Sequence, residues 1–159
     1  MAITNIVVSV AGGPGSVMTA KYAIALAKVL NAGLTAIYVV DEKVLHELLK
    51  SRIFVEVEAR VYERDLEQQG NVFLERVKKM SETKSVKCEG ILLKGMISDE
   101  VTNKAKELNA DILVMGDIKE PASRTDVYYD EGERILRKAG CSVIVVKDPS
   151  AVESFYKEI

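Results

Sequence analysis

The 159-residue sequence contains no tryptophan, one histidine and two cysteines. Two thiols, Cys88 and Cys141, are too few for a disulfide scaffold or a four-cysteine zinc site. They read as small core residues rather than reactive groups. His46 is the lone imidazole and sits on a charged stretch, so neither a serine–histidine–aspartate triad nor a histidine-rich metal centre is expected. An excess of one charge sign is also missing. The 22 basic and 24 acidic residues leave a formal net charge of −2, which argues against a nucleic-acid binder with a basic face. The apolar runs, such as Ile6-Val7-Val8 and Ile144-Val145-Val146, fall far short of the roughly 18 residues of a membrane span. Met1–Asn5 has no basic n-region, so the expectation is a cytoplasmic chain with reduced thiols and no membrane insertion. What is present is an ordinary globular mixture, 48% hydrophobic and 29% charged, too apolar for a disordered chain. The expectation is one domain over residues 1–159, with 148–159 as a C-terminal tail.

Hydrophobic periodicity alternates between two kinds of segment. Asn5–Ala11 is a β-branched run that enters the breaker cluster Gly12-Gly13-Pro14-Gly15-Ser16, where Ser16 is placed to cap the following helix. Val17, Ala20, Ala23, Ile24, Ala27 and Leu30 give that helix one apolar face, and Gly33 follows its end. Leu34–Val40 reads as the second strand. Lys43–Lys50 reads as a short helix, which Ile53-Phe54-Val55 either extends or breaks with a turn. A long helix is predicted from Ala59 to Met80, with Gly70 as a weak point of about 1 kcal/mol relative to alanine and a candidate kink. Val86–Leu93, Asp111–Met115 and Ser142–Val146 read as strands. Helices are expected from Ile97 to Leu108 and from Tyr128 to Ala139, the latter with Ile135 and Leu136 facing inward. Val152, Phe155 and Tyr156 suggest one or two helical turns in the tail. This βα alternation, with strands apolar on both sides, predicts a parallel sheet covered on both faces. Ligands of such sheets bind beyond the carboxyl ends of the strands, near the point where strand order reverses. The loop after Ala11, the end of strand two at Val40-Asp41 and the loop after Gly116 would converge there.

The segment Asp111-Ile112-Leu113-Val114-Met115-Gly116, followed by Glu133-Arg134-Ile135-Leu136-Arg137-Lys138-Ala139-Gly140-Cys141-Ser142-Val143-Ile144-Val145-Val146, resembles the closing signature of the universal stress protein family. Gly95 resembles the glycine after that family's third strand, and the first strand, glycine loop and alanine-rich helix also fit. The resemblance implies a flavodoxin-like α/β sandwich of the adenine nucleotide α-hydrolase-like superfamily, with a five-stranded parallel sheet in the order 3-2-1-4-5. Family members that bind ATP carry Gly-x2-Gly-x9-Gly-Ser/Thr after strand four, where glycines let backbone N–H groups approach the phosphates. Here those positions read Gly116, Lys119, Tyr129 and Asp130. Ala11 stands where binders carry an aspartate after strand one. Asp117, Glu120, Asp126 and Glu131 add negative charge, which Lys119 and Arg124 partly offset. A carboxylate within roughly 4 Å of a phosphate costs on the order of 4 kcal/mol at a surface-like dielectric, or about three decades of affinity. The expectation is therefore a member without the ATP grip and without a catalytic residue or metal.

Gly12, Gly13, Val40 and Gly116 remain as a residual nucleotide pocket, since the backbone at Val40 faces adenine in binding relatives. ATP or AMP is the ligand class it would take. Gly12–Ser16 reads first as a plain strand-to-helix turn and second as an anion cradle. Tyr128 and Tyr129 read as space-filling residues that plug the site. The leading function is a stress-response module acting through dimerisation and contacts with a protein partner. Its alternative is an adenine-nucleotide switch, and slow ATP turnover on the acidic loop ranks third. Ser142–Val146 is an unprotected edge strand in the implied order, and a two-fold homodimer through it is expected.

Overall fold

The computed structural model describes residues 2–11, 14–117 and 127–159. Strands β1 (Asn5–Val10), β2 (Gly33–Asp41), β3 (Cys88–Gly95), β4 (Ile112–Gly116) and β5 (Ser142–Val146) alternate with helices α1 (Pro14–Leu30), α2 (Glu42–Lys50), α3 (Glu56–Thr83), α4 (Ile97–Glu107), α5 (Val127–Lys138) and α6 (Pro149–Glu158). All pairings are parallel, and the sheet order is β3-β2-β1-β4-β5. The expected topology is therefore observed. β1 lies at the centre, with Ile6 opposite Leu34 on β2 and Val7 opposite Leu113 on β4.

Successive side chains of a strand point to opposite faces, and the core divides accordingly. Ile6, Val8, Val10, Ala36, Tyr38 and Val40 pack under α1, α3 and α6 with Ala20, Ala23, Ile24, Ala27, Leu74, Val77 and Val152. Val7, Ile37, Val39, Leu113 and Met115 pack on the opposite face with Val101 of α4 and Ile135 of α5. The alanine stripe of α1 lets that helix sit close to the strands. Leu136, expected to face inward, is 42% exposed. It follows Ile135 directly, and a helix turns roughly 100° per residue, so only one of the pair faces the sheet.

Gly70 does not break α3, which runs unbroken over 28 residues. A Cβ there would meet Leu92 Cδ1 and Tyr38 Cδ1 at 2.7 Å. The glycine is a close-approach residue that seats the helix on β2 and β3. Ile53-Phe54-Val55 forms the turn between α2 and α3, and Phe54 stacks edge-on against Tyr62 at 5.5 Å. The tail forms a ten-residue helix, longer than the turn or two expected. α6 is anchored on α1 by the Phe155–Tyr22 ring contact at 5.6 Å and the Lys21–Glu153 ion pair at 2.8 Å.

Candidate functional site

A cavity of about 720 Å³ opens at the carboxyl ends of β1, β4 and β5. The order reversal creates it: the chain leaves β1 toward β2 on one side while β4 lies on the other, so the exits of β1 and β4 diverge. Its walls are Ser9, Val10 and Ala11 from β1 and its exit, Gly15, Ser16, Met18 and Thr19 from α1, Val39 from β2 and Ile97 from α4. Met115, Gly116 and Asp117 come from β4 and its exit, and Glu131, Gly132 and Ile135 from α5. Val146, Lys147, Asp148, Pro149 and Val152 complete it.

Local structure fixes these walls. α1 begins at Pro14, so Ser16 lies in its first turn and is not the capping residue expected. Ser16 Oγ instead accepts the N–H of Ala11 at 2.9 Å, tying the helix start to the strand exit. A Cβ on Gly116 would come within 3.1 Å of Thr19 Oγ1, so the bare backbone there lets α1 approach β4. Gly95 has φ +140°, a region that favours glycine, and its turn delivers the start of α4 to the cavity. Asp148, at φ 49°, caps α6 by accepting the N–H of Ala151 at 3.2 Å.

The most unusual wall residue is Glu131, which is only 2% exposed. A buried carboxylate costs several kcal/mol unless it is paired. Glu131 Oε2 accepts the N–H of Ser98 at 2.6 Å, and Oε1 accepts Arg134 at 3.1 Å. The first contact places the carboxylate at the N-terminus of α4, where the helix dipole favours negative charge. The Oγ of the same buried Ser98 has no hydrogen-bond partner among the described residues. Burial, above all, holds the Asp41 carboxyl above its ordinary value. The Lys43 N–H it accepts opposes that shift, and the Glu131 charge adds to it. Asp117 pairs with Lys147 at 3.3 Å. The described wall thus carries three carboxylates, Asp117, Glu131 and Asp148, and one ammonium that is already paired.

Of the four residues expected to form a nucleotide pocket, Gly116 lines this cavity. Val40 is 1% exposed in the core beneath α1 and α3, and its neighbour Val39 contributes to the wall. Gly12 and Gly13 lie outside the described residues, as do Lys119, Glu120, Arg124 and Asp126. Tyr128, Tyr129 and Asp130 fall in the first turn of α5, and the expected plugging by the tyrosines concerns side chains outside those described. The α6 wall was not anticipated, although Asp148-Pro149 is a sequence signal for a capped helix start. His46 is exposed on α2, as expected. Among the described residues, no three histidine, cysteine, aspartate or glutamate side chains are grouped to hold a metal ion. No helix there is long and apolar enough to cross a membrane.

Fold and cavity together define a doubly wound α/β module with a ligand-sized cavity at its switch point. The chain belongs to the universal stress protein family, whose profile matches residues 2–147. Universal stress protein MJ0531 of Methanocaldococcus jannaschii is 33% identical over 145 residues, covering 91% of this chain and 82% of the relative. Universal stress protein UspA from Lactobacillus plantarum superposes with a TM-score of 0.73 at 20% identity, covering 92% of this chain and 99% of that one. A universal stress protein solved in complex with cAMP superposes with a TM-score of 0.66 at 18% identity, covering 92% and 98%. The Archaeoglobus fulgidus protein in complex with dAMP gives 0.63 at 15% identity, covering 92% and 100%.

Proposed function

We propose that this universal stress protein is a non-enzymatic, cytoplasmic regulatory module that does not hold ATP and acts through self-association and contacts with a protein partner. The observation carrying this reading is the buried Glu131 carboxylate in the cavity wall. It occupies the amide end of α4, the kind of group that would otherwise receive an anion, and it repels phosphate. Tyr129 and Asp130, in place of the glycine and hydroxyl of ATP-binding members, point the same way. The self-association half rests on β5. This strand ends the sheet and carries Val143, Ile144 and Val145 without a charge or proline, a combination that invites edge pairing.

A second reading, an adenine-nucleotide switch in the same cavity, is favoured by two observations. The cavity lies in the size range of small-molecule sites, about 300–1,000 Å³, and two proteins of this fold were solved with cyclic AMP and dAMP. Titration calorimetry with Mg-ATP and AMP separates the two readings, alongside a check for nucleotide released on denaturation. The first expects no heat with Mg-ATP and a dimer by sedimentation velocity. Micromolar Mg-ATP binding overturns it, and a strictly monomeric chain removes its self-association half.

A further inference from the structure

We infer that the cavity is a nucleoside site, not a nucleotide site, and that Glu131 is the residue that sets this specificity. The inference rests on the second reading above, that an adenine ligand enters this cavity, and narrows it to an uncharged ligand.

The wall divides by chemistry. Val39, Ile97, Met115 and Ile135 offer apolar surface of the kind that takes the faces of a planar ring. Glu131 offers a carboxylate, which only accepts hydrogen bonds. A ribose hydroxyl is a donor and can use its remaining lone pairs. A phosphate monoester is an acceptor carrying close to two negative charges near neutral pH, and it has nothing to donate to Glu131. The two contacts already made by Glu131, from Ser98 N–H and Arg134, fix its position, so it does not swing away freely to admit an anion. The amide end of α4 is already taken by the same side chain. Lys147, the ammonium in the described wall, is engaged by Asp117 at 3.3 Å. Beside Glu131 a phosphate thus meets repulsion and no unpaired described ammonium, leaving only the wall hydroxyls and the start of α1 at Gly15 and Ser16 to receive it, while a ribose hydroxyl meets an oriented acceptor.

The test measures adenosine and AMP binding by calorimetry at fixed ionic strength, with the native chain and Glu131→Gln. The amide keeps the shape and one acceptor oxygen but removes the charge. The native chain is expected to bind adenosine at least about tenfold more tightly than AMP, and Glu131→Gln to bring the two within about twofold. Equal or tighter AMP binding by the native chain overturns the inference and leaves the cavity reading standing. An unchanged ratio in folded Glu131→Gln does the same. Absence of binding by both ligands overturns the cavity reading itself, and this inference with it. Asp117→Asn removes a carboxylate at the cavity edge without touching the buried contacts. It is expected to shift the ratio in the same direction by about two- to threefold. If Glu131→Gln does not fold, an unchanged ratio in Asp117→Asn overturns the inference.

Discussion

The two ends of the same five strands each meet a carboxylate, and they use it in opposite ways. At the amino end Asp111 sits partly exposed at the surface, and its Oδ2 accepts the N–H groups of Thr4 and Asn5, both at 2.9 Å. It ties the start of β1 to the start of β4. At the carboxyl end Glu131 is buried, and its partners come from α4 and its own helix. Asp111 keeps its hydration while bridging two strands, so it acts as a fastener with little penalty. Glu131 has given up its hydration to sit in a cavity wall, a position that stability alone does not require. A buried charge beside an open cavity is better explained by what it admits than by what it holds together. On the proposed reading, that contrast places specificity at one end of the sheet and fastening at the other.

The strongest test of the contrast is a change in the core between the two ends. Leu113, fully buried on β4 opposite Val7 of β1, should cost about 3–4 kcal/mol as Leu113→Ala. Urea unfolding followed by both far-ultraviolet dichroism and tyrosine fluorescence should give coincident transitions. Separate transitions would mean that the two ends are not one cooperative unit, and the comparison would fail.

A smaller effect is expected at the cavity. Glu131→Ala leaves the Ser98 N–H and Arg134 without their partner and should lower stability by about 2 kcal/mol, read as a shift in urea midpoint with unchanged slope. A stabilised variant would show that relief of the buried charge outweighs the lost hydrogen bonds.

The smallest effect belongs to Asp111→Asn and is recognisable by its pH dependence. The N–H of Asn5, followed by that of Thr4, holds the Asp111 carboxyl below its ordinary value. Its folded state therefore favours the charged form. The stabilisation is complete above the ordinary carboxylate range, near pH 4, and is lost as pH falls through the depressed folded value. Native and variant melting temperatures should differ at pH 7 and converge in acid. A difference that persists below about pH 2 would show that Asp111 acts through shape and not charge.

Much of this architecture was legible in local pattern. β5 spans the residues its apolar run predicts, and the other strands differ by one or two residues at their ends, because β-branched runs bounded by glycine and polar residues define them. Errors arose where tertiary contact overrides local preference. Gly70 reads only as a weak point or kink of the helix in isolation, and the rings and methyls of Tyr38 and Leu92 reveal why a side chain is excluded there. Ser16 reads as a cap until the helix is seen to begin two residues earlier. At the cavity, Gly116 and the acidic surroundings could be read from spacing. The burial of Glu131 could not, because its partner Ser98 lies 33 residues away in sequence, and no periodicity reports such a contact.

The central position of β1 also sets a timetable for the growing chain. Asn5 finds its partner Asp111 across 106 residues. At synthesis rates of about 5–20 residues per second, that interval is roughly 5–20 s. β2 can pair with one side of β1, and β3 with β2, during that time, but the side of β1 destined for β4 stays open. Ile6, Val7 and Val8, apolar on both faces, then form a temporary edge on a half-built sheet. For those seconds the nascent chain presents a sticky strand that the finished protein hides at its centre, and this is the interval in which a ribosome-associated chaperone would matter most.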